Sequence, residues 1–336
     1  MPERDLRVSV LLPAYNAEAT LPSCLASIRR QTEVGWECVI VDDGSTDLTA
    51  AMAREAASRD ARFRVVQTSH QGIVEALNEG LAHCRAPLIA RMDADDVMRR
   101  DRLARQADTL AGDSSLSAVG SHVRIFPRSG MAPRLREYEH WLNGLRSADD
   151  IARDAFVECP VAHPTLMMRR RMAGLGYADT GWPEDYDLIL RALGVGLRIG
   201  IVTKRLVAWR DRSDSLSRTH GRYELSQFTA CKAHHLAAGF LSHSDAYVLC
   251  GYGATGRSLR RALAALGKHP SHVVEVKPSR LGKRIHGAPV IPHGDLRGVA
   301  GRPIIVSVAR AGPRAEARAS LVAMGFVEGR DFVCAA

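Results

Sequence analysis

From Val8 onward, four short apolar runs, VSVLL, ECVIV, FRVVQ and PLIARMD, alternate with helical periodicity over about 19–31, 48–59 and 72–84. That alternation leaves few folds open. Successive parallel strands need a crossover of a dozen or so residues between them, and an amphipathic helix supplies it. The expectation is an α/β chain built on a mainly parallel sheet flanked by helices. In such sheets ligands bind outside the carboxyl ends of the strands. Here those ends are polar and turn-forming: PAYN after the first run, DDGSTD after the second and DADD after the fourth.

With 336 residues and 46% hydrophobic content the chain can bury more than one core. Periodicity loosens between about 103 and 212, where Gly, Pro and Trp cluster in GYADTGWPEDYD. A polar, helix-prone stretch follows, and then the strand AYVLC opens directly into GYGATG. The expected organisation is a first domain over 1–222, a helical linker over 223–243 and a smaller Rossmann-like α/β domain over 244–336. The longest uncharged apolar runs, such as Val8–Leu12, fall far short of the ~20 residues that span a bilayer. MPERDLRVSV has no signal-peptide pattern, so a cytoplasmic location is expected. Seven scattered cysteines without a CxxC pair read as reduced core residues rather than zinc ligands. The net charge of +9 suits a phosphorylated substrate or an anionic membrane face. Without aromatic interleaving or a helix-turn-helix pattern it does not suit nucleic acid.

Three acidic clusters carry candidate chemistry, and each has a plainer reading. Asp93, Asp95 and Asp96 repel one another unless a cation compensates them, so Asp-x-Asp at a strand end can hold a hard divalent ion, Mg2+ or Mn2+. The same residues also suit a helix N-terminus. Asp42 and Asp43 can accept hydrogen bonds from a base and a ribose, while Gly44 to Asp47 read equally as turn and cap. Glu184 and Asp185 start a helix. In a cleft lined by Trp182 and Tyr186, a carboxylate there would be partly desolvated and suited to taking a proton from a hydroxyl.

LLPAYNAEATLPSCLASIRRQ, VIVDDGSTD, ARMDADD and GWPEDYDLILR occur in this order, with HPTLMMRR ahead of the last. Together they resemble the successive signatures of family 2 glycosyltransferases with the nucleotide-diphospho-sugar transferase fold, over about 8–220. The resemblance implies that Pro13, Ala14, Tyr15 and Asn16 line the nucleotide pocket, and that Asp43 contacts the base with Asp42 beside it. It implies that Asp93 and Asp95 meet ribose and a metal-bound diphosphate, that Arg91 helps neutralise that diphosphate, and that Asp185, preceded by Glu184, is the catalytic base. One departure stands out: where many relatives carry Arg-x-His, this chain has Arg212. His220, eight residues on, is then the candidate third metal ligand.

In the tail, Gly251 suits a tight turn, Gly253 a close phosphate and Gly256 a helix packed on its strand, with Glu275 ending a later strand. The segment resembles the small nucleotide-fold module of some bacterial sugar acyltransferases, which implies a possible nucleotide site. The combined expectation is an inverting transfer of sugar from an NDP-sugar, of the UDP class, to a saccharide, lipid-linked or small-molecule hydroxyl. The alternative is a non-catalytic sugar-nucleotide sensor.

Overall fold

A computed structural model describes residues 6–276 and 278–336. The chain begins β1 (Val8–Ala14), α1 (Leu21–Arg29), β2 (Trp36–Asp43), α2 (Thr49–Arg59), β3 (Phe63–Thr68), α3 (Ile73–His83) and β4 (Leu88–Arg91), close to the alternation its sequence predicts. It continues through β5 (Val97–Met98), α4 (Arg102–Gly112), β6 (Leu116–Phe126), α5 (Pro133–Leu142), α6 (Ala148–Asp154), β7 (Met167–Arg169), α7 (Arg170–Ala173), α8 (Glu184–Gly194), β8 (Arg198–Arg210) and α9 (Leu216–Thr219). These strands form one eight-stranded sheet in the order β3-β2-β1-β4-β7-β6-β8-β5. β1 pairs in parallel with β2 and β4, while β7 runs antiparallel to both β4 and β6.

Every residue of β1 and β2 is buried, as expected of central strands covered on both faces. One cover is α1, whose Leu21, Cys24, Leu25 and Ile28 recur at helical spacing and join Val8, Val10 and Leu12 in one cluster. The amino ends of the strands are closed by polar contacts. Glu37 accepts hydrogen bonds from the Ser9 hydroxyl (2.7 Å) and from the N–H of Arg85 (2.8 Å). Burial opposes its charge, but the Ser9 and Arg85 hydrogen bonds outweigh that and hold the carboxyl below its usual range. The fold itself thus occupies this acid. The carboxyl ends lead instead into the polar loops.

The chain divides into two compact units. The first holds 1–152, 160–180 and 187–218, and the second holds 153–159, 181–186 and 219–336. The second contains α10 (Leu225–Ala238), β9 (Ala246–Cys250), α11 (Ala254–Ala264), β10 (His269–Val274), β11 (Arg284–Ile285), β12 (Ala288–Ile291), β13 (Ile304–Val306), α12 (Ala311–Ala323) and β14 (Phe332–Cys334). Its six-stranded sheet has the order β11-β12-β10-β9-β13-β14 and is parallel except at β11. The stretch read as a linker is α10, and its Ala233 and Leu236 pack with Tyr247, Leu249 and Leu259 in this unit's core. The two early stretches are tied in by polar contacts. Asp154 pairs with Arg318 (2.5 Å), Tyr186 donates its hydroxyl hydrogen to the Ala155 carbonyl (2.7 Å), and Lys232 reaches the Val157 carbonyl (3.1 Å).

Among the described residues no helix is long and apolar enough to cross a membrane. All seven cysteines are buried and unpaired with one another.

Candidate active site

The loop leaving β1 is laced to the loop leaving β2. Pro13 and Ala14 are buried at the strand end, whereas Tyr15 and Asn16 are exposed. Asn16 adopts a left-handed φ of 47°, a conformation asparagine tolerates better than most residues. Its backbone N–H reaches Ser45 Oγ (3.0 Å) and its Oδ1 accepts from the Thr46 N–H (2.9 Å). Gly44, at φ 70°, lets the second loop turn: a Cβ there would lie 2.7 Å from the backbone nitrogen of His70.

Asp43 is only 3% exposed, and its two oxygens are well occupied. Oδ1 accepts from the Gln71 N–H (2.9 Å) and the Thr68 hydroxyl (3.2 Å), and Oδ2 meets the Gly72 N–H and His70 Nδ1 (both 2.9 Å). Asp42, also buried, accepts from the Ser45 N–H and from Gln67 Nε2, both at 3.3 Å. Through these contacts Asp43 orients His70, whose ring stacks on Tyr15 with centroids 4.0 Å apart and planes 16° apart. The stack leaves Tyr15 45% exposed at the carboxyl edge of the sheet. His70 belongs to no motif, and sequence reasoning did not find it.

At the end of β4 the Asp93, Asp95 and Asp96 carboxylates place an oxygen each within 4.8 Å of one another. Burial first, and then the charge of Asp93, pushes Asp95 up to about 6. Burial, and then both neighbours, raises Asp96 as well. Arg91 pairs with Asp93. Arg210 braces the turn, giving its N–H to Asp96 Oδ1 (2.7 Å) and its Nε–H to the Asp95 carbonyl (2.7 Å). Among the described residues, however, Asp96 Oδ2 is buried with no hydrogen-bond donor. A buried acceptor without a donor, among crowded carboxylates, fits a hard divalent cation that prefers oxygen ligands. The third carboxylate of this cluster is Asp96, which the sequence reading had not placed among the ligands. His220 caps a short turn, where its Nδ1 accepts from the Arg222 N–H (3.2 Å). Arg212 is bidentate on Asp214 (2.9 and 2.6 Å), and its charge favours ionised Asp95.

Glu184 and Asp185 begin α8 and belong by their packing to the second unit. Glu184 is 2% exposed, and both its oxygens accept from the Tyr223 hydroxyl (2.9 and 2.8 Å). Asp185 is half-buried, and its Oδ1 accepts from the Tyr186 N–H (2.7 Å). Tyr186 does not line a cleft as its sequence context suggested. It is fully buried, because its hydroxyl finds a carbonyl at Ala155. Trp182 instead helps line a hollow of about 220 Å3 beside His234 and Leu266.

In the second unit's glycine turn, Gly251 has φ 92° and Gly253 has open space around it. A Cβ on Gly256 would sit 2.3 Å from the Gly251 carbonyl oxygen. Glu275 is buried and paired with Arg280 (2.6 Å), and Arg280 also donates to the Tyr252 carbonyl (3.2 Å). The arginine therefore stands between this acid and the turn.

A family model described as Glycosyl transferase family 2 matches residues 9–174. The succinoglycan biosynthesis protein ExoU of Rhizobium meliloti (strain 1021) is 32% identical over 280 residues, covering 79% of this chain and 75% of that protein. The chain belongs to glycosyl transferase family 2. It is a glycosyltransferase. Another relative of this family 2 enzyme is the amylovoran biosynthesis glycosyltransferase AmsE of Erwinia amylovora, 29% identical over 218 residues, or 63% of this chain and 79% of the relative. Among solved structures, S. aureus TarS 1–349 in complex with UDP-GlcNAc superposes with a TM-score of 0.56 at 17% identity, over 76% of this chain and 71% of that one. That likeness is one of fold.

Proposed function

We propose that this family 2 enzyme transfers a sugar with inversion from an NDP-sugar, of the UDP class, to a hydroxyl of a growing saccharide at the inner face of a membrane. The observation that carries the reading is the crowded carboxylate cluster at the end of β4, with its buried, donorless Asp96 oxygen. Asp93, Asp95 and Asp96 would hold Mg2+ or Mn2+; when bound, the ion would supply positive charge for the departing diphosphate. Arg91 and Arg212 add fixed positive charge nearby. The Tyr15–His70 stack offers a flat, half-exposed face to the base, and Asp43 sets its angle. Asp185 takes the proton from the acceptor hydroxyl as that oxygen attacks the anomeric carbon on the face opposite the leaving group. Glu184, held by Tyr223, fixes the start of the helix that carries Asp185. The roles of Asp185 and of the UDP-class pocket rest on the motif resemblance. We also assign the second unit's glycine turn to a nucleotide phosphate, with Arg257 and Arg280, which both donate to the Tyr252 carbonyl, as cations beside it.

The test is a radiolabelled transfer assay from UDP-sugars with manganese. Asp185→Asn is expected to slow transfer about 100-fold or more while leaving donor binding in place. Near-normal transfer by that variant would remove Asp185 from the role of base.

A further inference from the structure

The charge of the chain is concentrated in one region. Residues 223–336 contain 15 Lys and Arg against seven Asp and Glu, so the last third carries nearly all of the net +9. None of that excess takes part in the proposed transfer. Within this unit, at the amino ends of β9, β13 and β14, lies a cleft of about 490 Å3. Arg297, Arg302, Arg330 and His243 line it together with Phe240 and Phe326. This is the opposite edge of the sheet from the glycine turn, which follows the carboxyl end of β9.

The arginines differ in their engagement. Arg330 is held bidentately by Asp331 at 3.0 and 2.8 Å, and Asp331 is fixed in turn by the Val327 N–H (2.8 Å). Arg297 and Arg302 have no acidic partner among the described residues. Arg297 and Arg302 are exposed on the cleft, and planar guanidinium forks match phosphate oxygens in geometry. The phenylalanines alongside suit an apolar or planar substituent on the same ligand.

We propose that this cleft is a second ligand site, which binds a phosphate or diphosphate ester through Arg297 and Arg302 and packs its organic part on Phe240 and Phe326. The same chemistry is offered by a free organic phosphate and by an anionic lipid headgroup. Calorimetric titration of the full chain in EDTA, which keeps the metal-dependent diphosphate site silent, tests it with inorganic pyrophosphate and geranyl diphosphate. Flotation with phosphatidylglycerol or phosphatidylcholine vesicles forms the second arm. Arg297→Ala with Arg302→Ala should weaken pyrophosphate or phosphatidylglycerol binding by about tenfold or more. Phe326→Ala should weaken geranyl diphosphate but leave pyrophosphate unchanged. Loss in the soluble titration alone identifies a free phosphate as the ligand, and loss in flotation alone identifies a headgroup. If the double arginine variant binds every probe as the parent does, or the parent binds none, the site does not exist.

Discussion

Tyr223 reaches across 39 positions of sequence to place one hydroxyl on both oxygens of a nearly buried carboxylate. Glu184 is thereby held in one rotamer, directly ahead of the proposed base. Replacing Tyr223 with Phe removes a hydrogen bond to a charged group, so kcat should fall about tenfold while the donor KM stays within about twofold. Parental kcat in Tyr223→Phe would leave the phenol a structural prop only. The acidic residues were legible in the sequence because Asp42 with Asp43, and Asp93 with Asp95 and Asp96, are neighbours, and adjacent like charges need a reason. Their supports were not. His70 finds Asp43 27 positions away, and Arg210 finds the Asp95 carbonyl 115 positions away, in partnerships that only the fold creates.

At the scale of elements, β1, β2 and β4 were legible because strands buried along their whole length carry short apolar runs, and β3, a partly exposed edge strand, because its Val65 and Val66 sit between helical stretches. β5 has two residues and β7 three, too few to show any period, and so the antiparallel insertion of β7 between β4 and β6 had no trace in the sequence. The glycine turn was legible for a different reason, namely steric demand. Gly256→Ala would drive a methyl into the Gly251 carbonyl oxygen and Ser307 Oγ, 2.3 and 2.6 Å away, and backbone cannot yield as a side-chain tip can. The expected cost is about 1–3 kcal/mol in urea unfolding. An unchanged midpoint would mean that α11 can move outward freely.

At the scale of the whole molecule, the sequence suggested units that follow one another, whereas the packing places 153–159 and 181–186 in the later unit. Nothing in those short stretches differs in composition from their surroundings; what marks them is a set of partners lying far along the chain. Asp154, 5% exposed, relies on Arg318, which also pairs with Glu328 (2.8 Å). A chain ended after Ser242 keeps Asp154 but loses that arginine, together with Tyr247, Leu259, Ile305 and Val333 of this unit's core. Scanning calorimetry should show the shortened chain melting roughly 5 °C or more below the intact protein. Equal melting temperatures would show that the excursions carry no weight.

The five passages of the backbone between the two units also set an order of events during synthesis. The stretch 153–159 leaves the ribosome well before the strands it will pack with, the last of which ends at Cys334. At about 5–20 residues per second that delay is roughly 10–40 s, long compared with the folding of a helix or hairpin. The nascent chain must therefore hold two short loops open while the rest of its first sheet is already formed, and it closes them only as the final strands emerge.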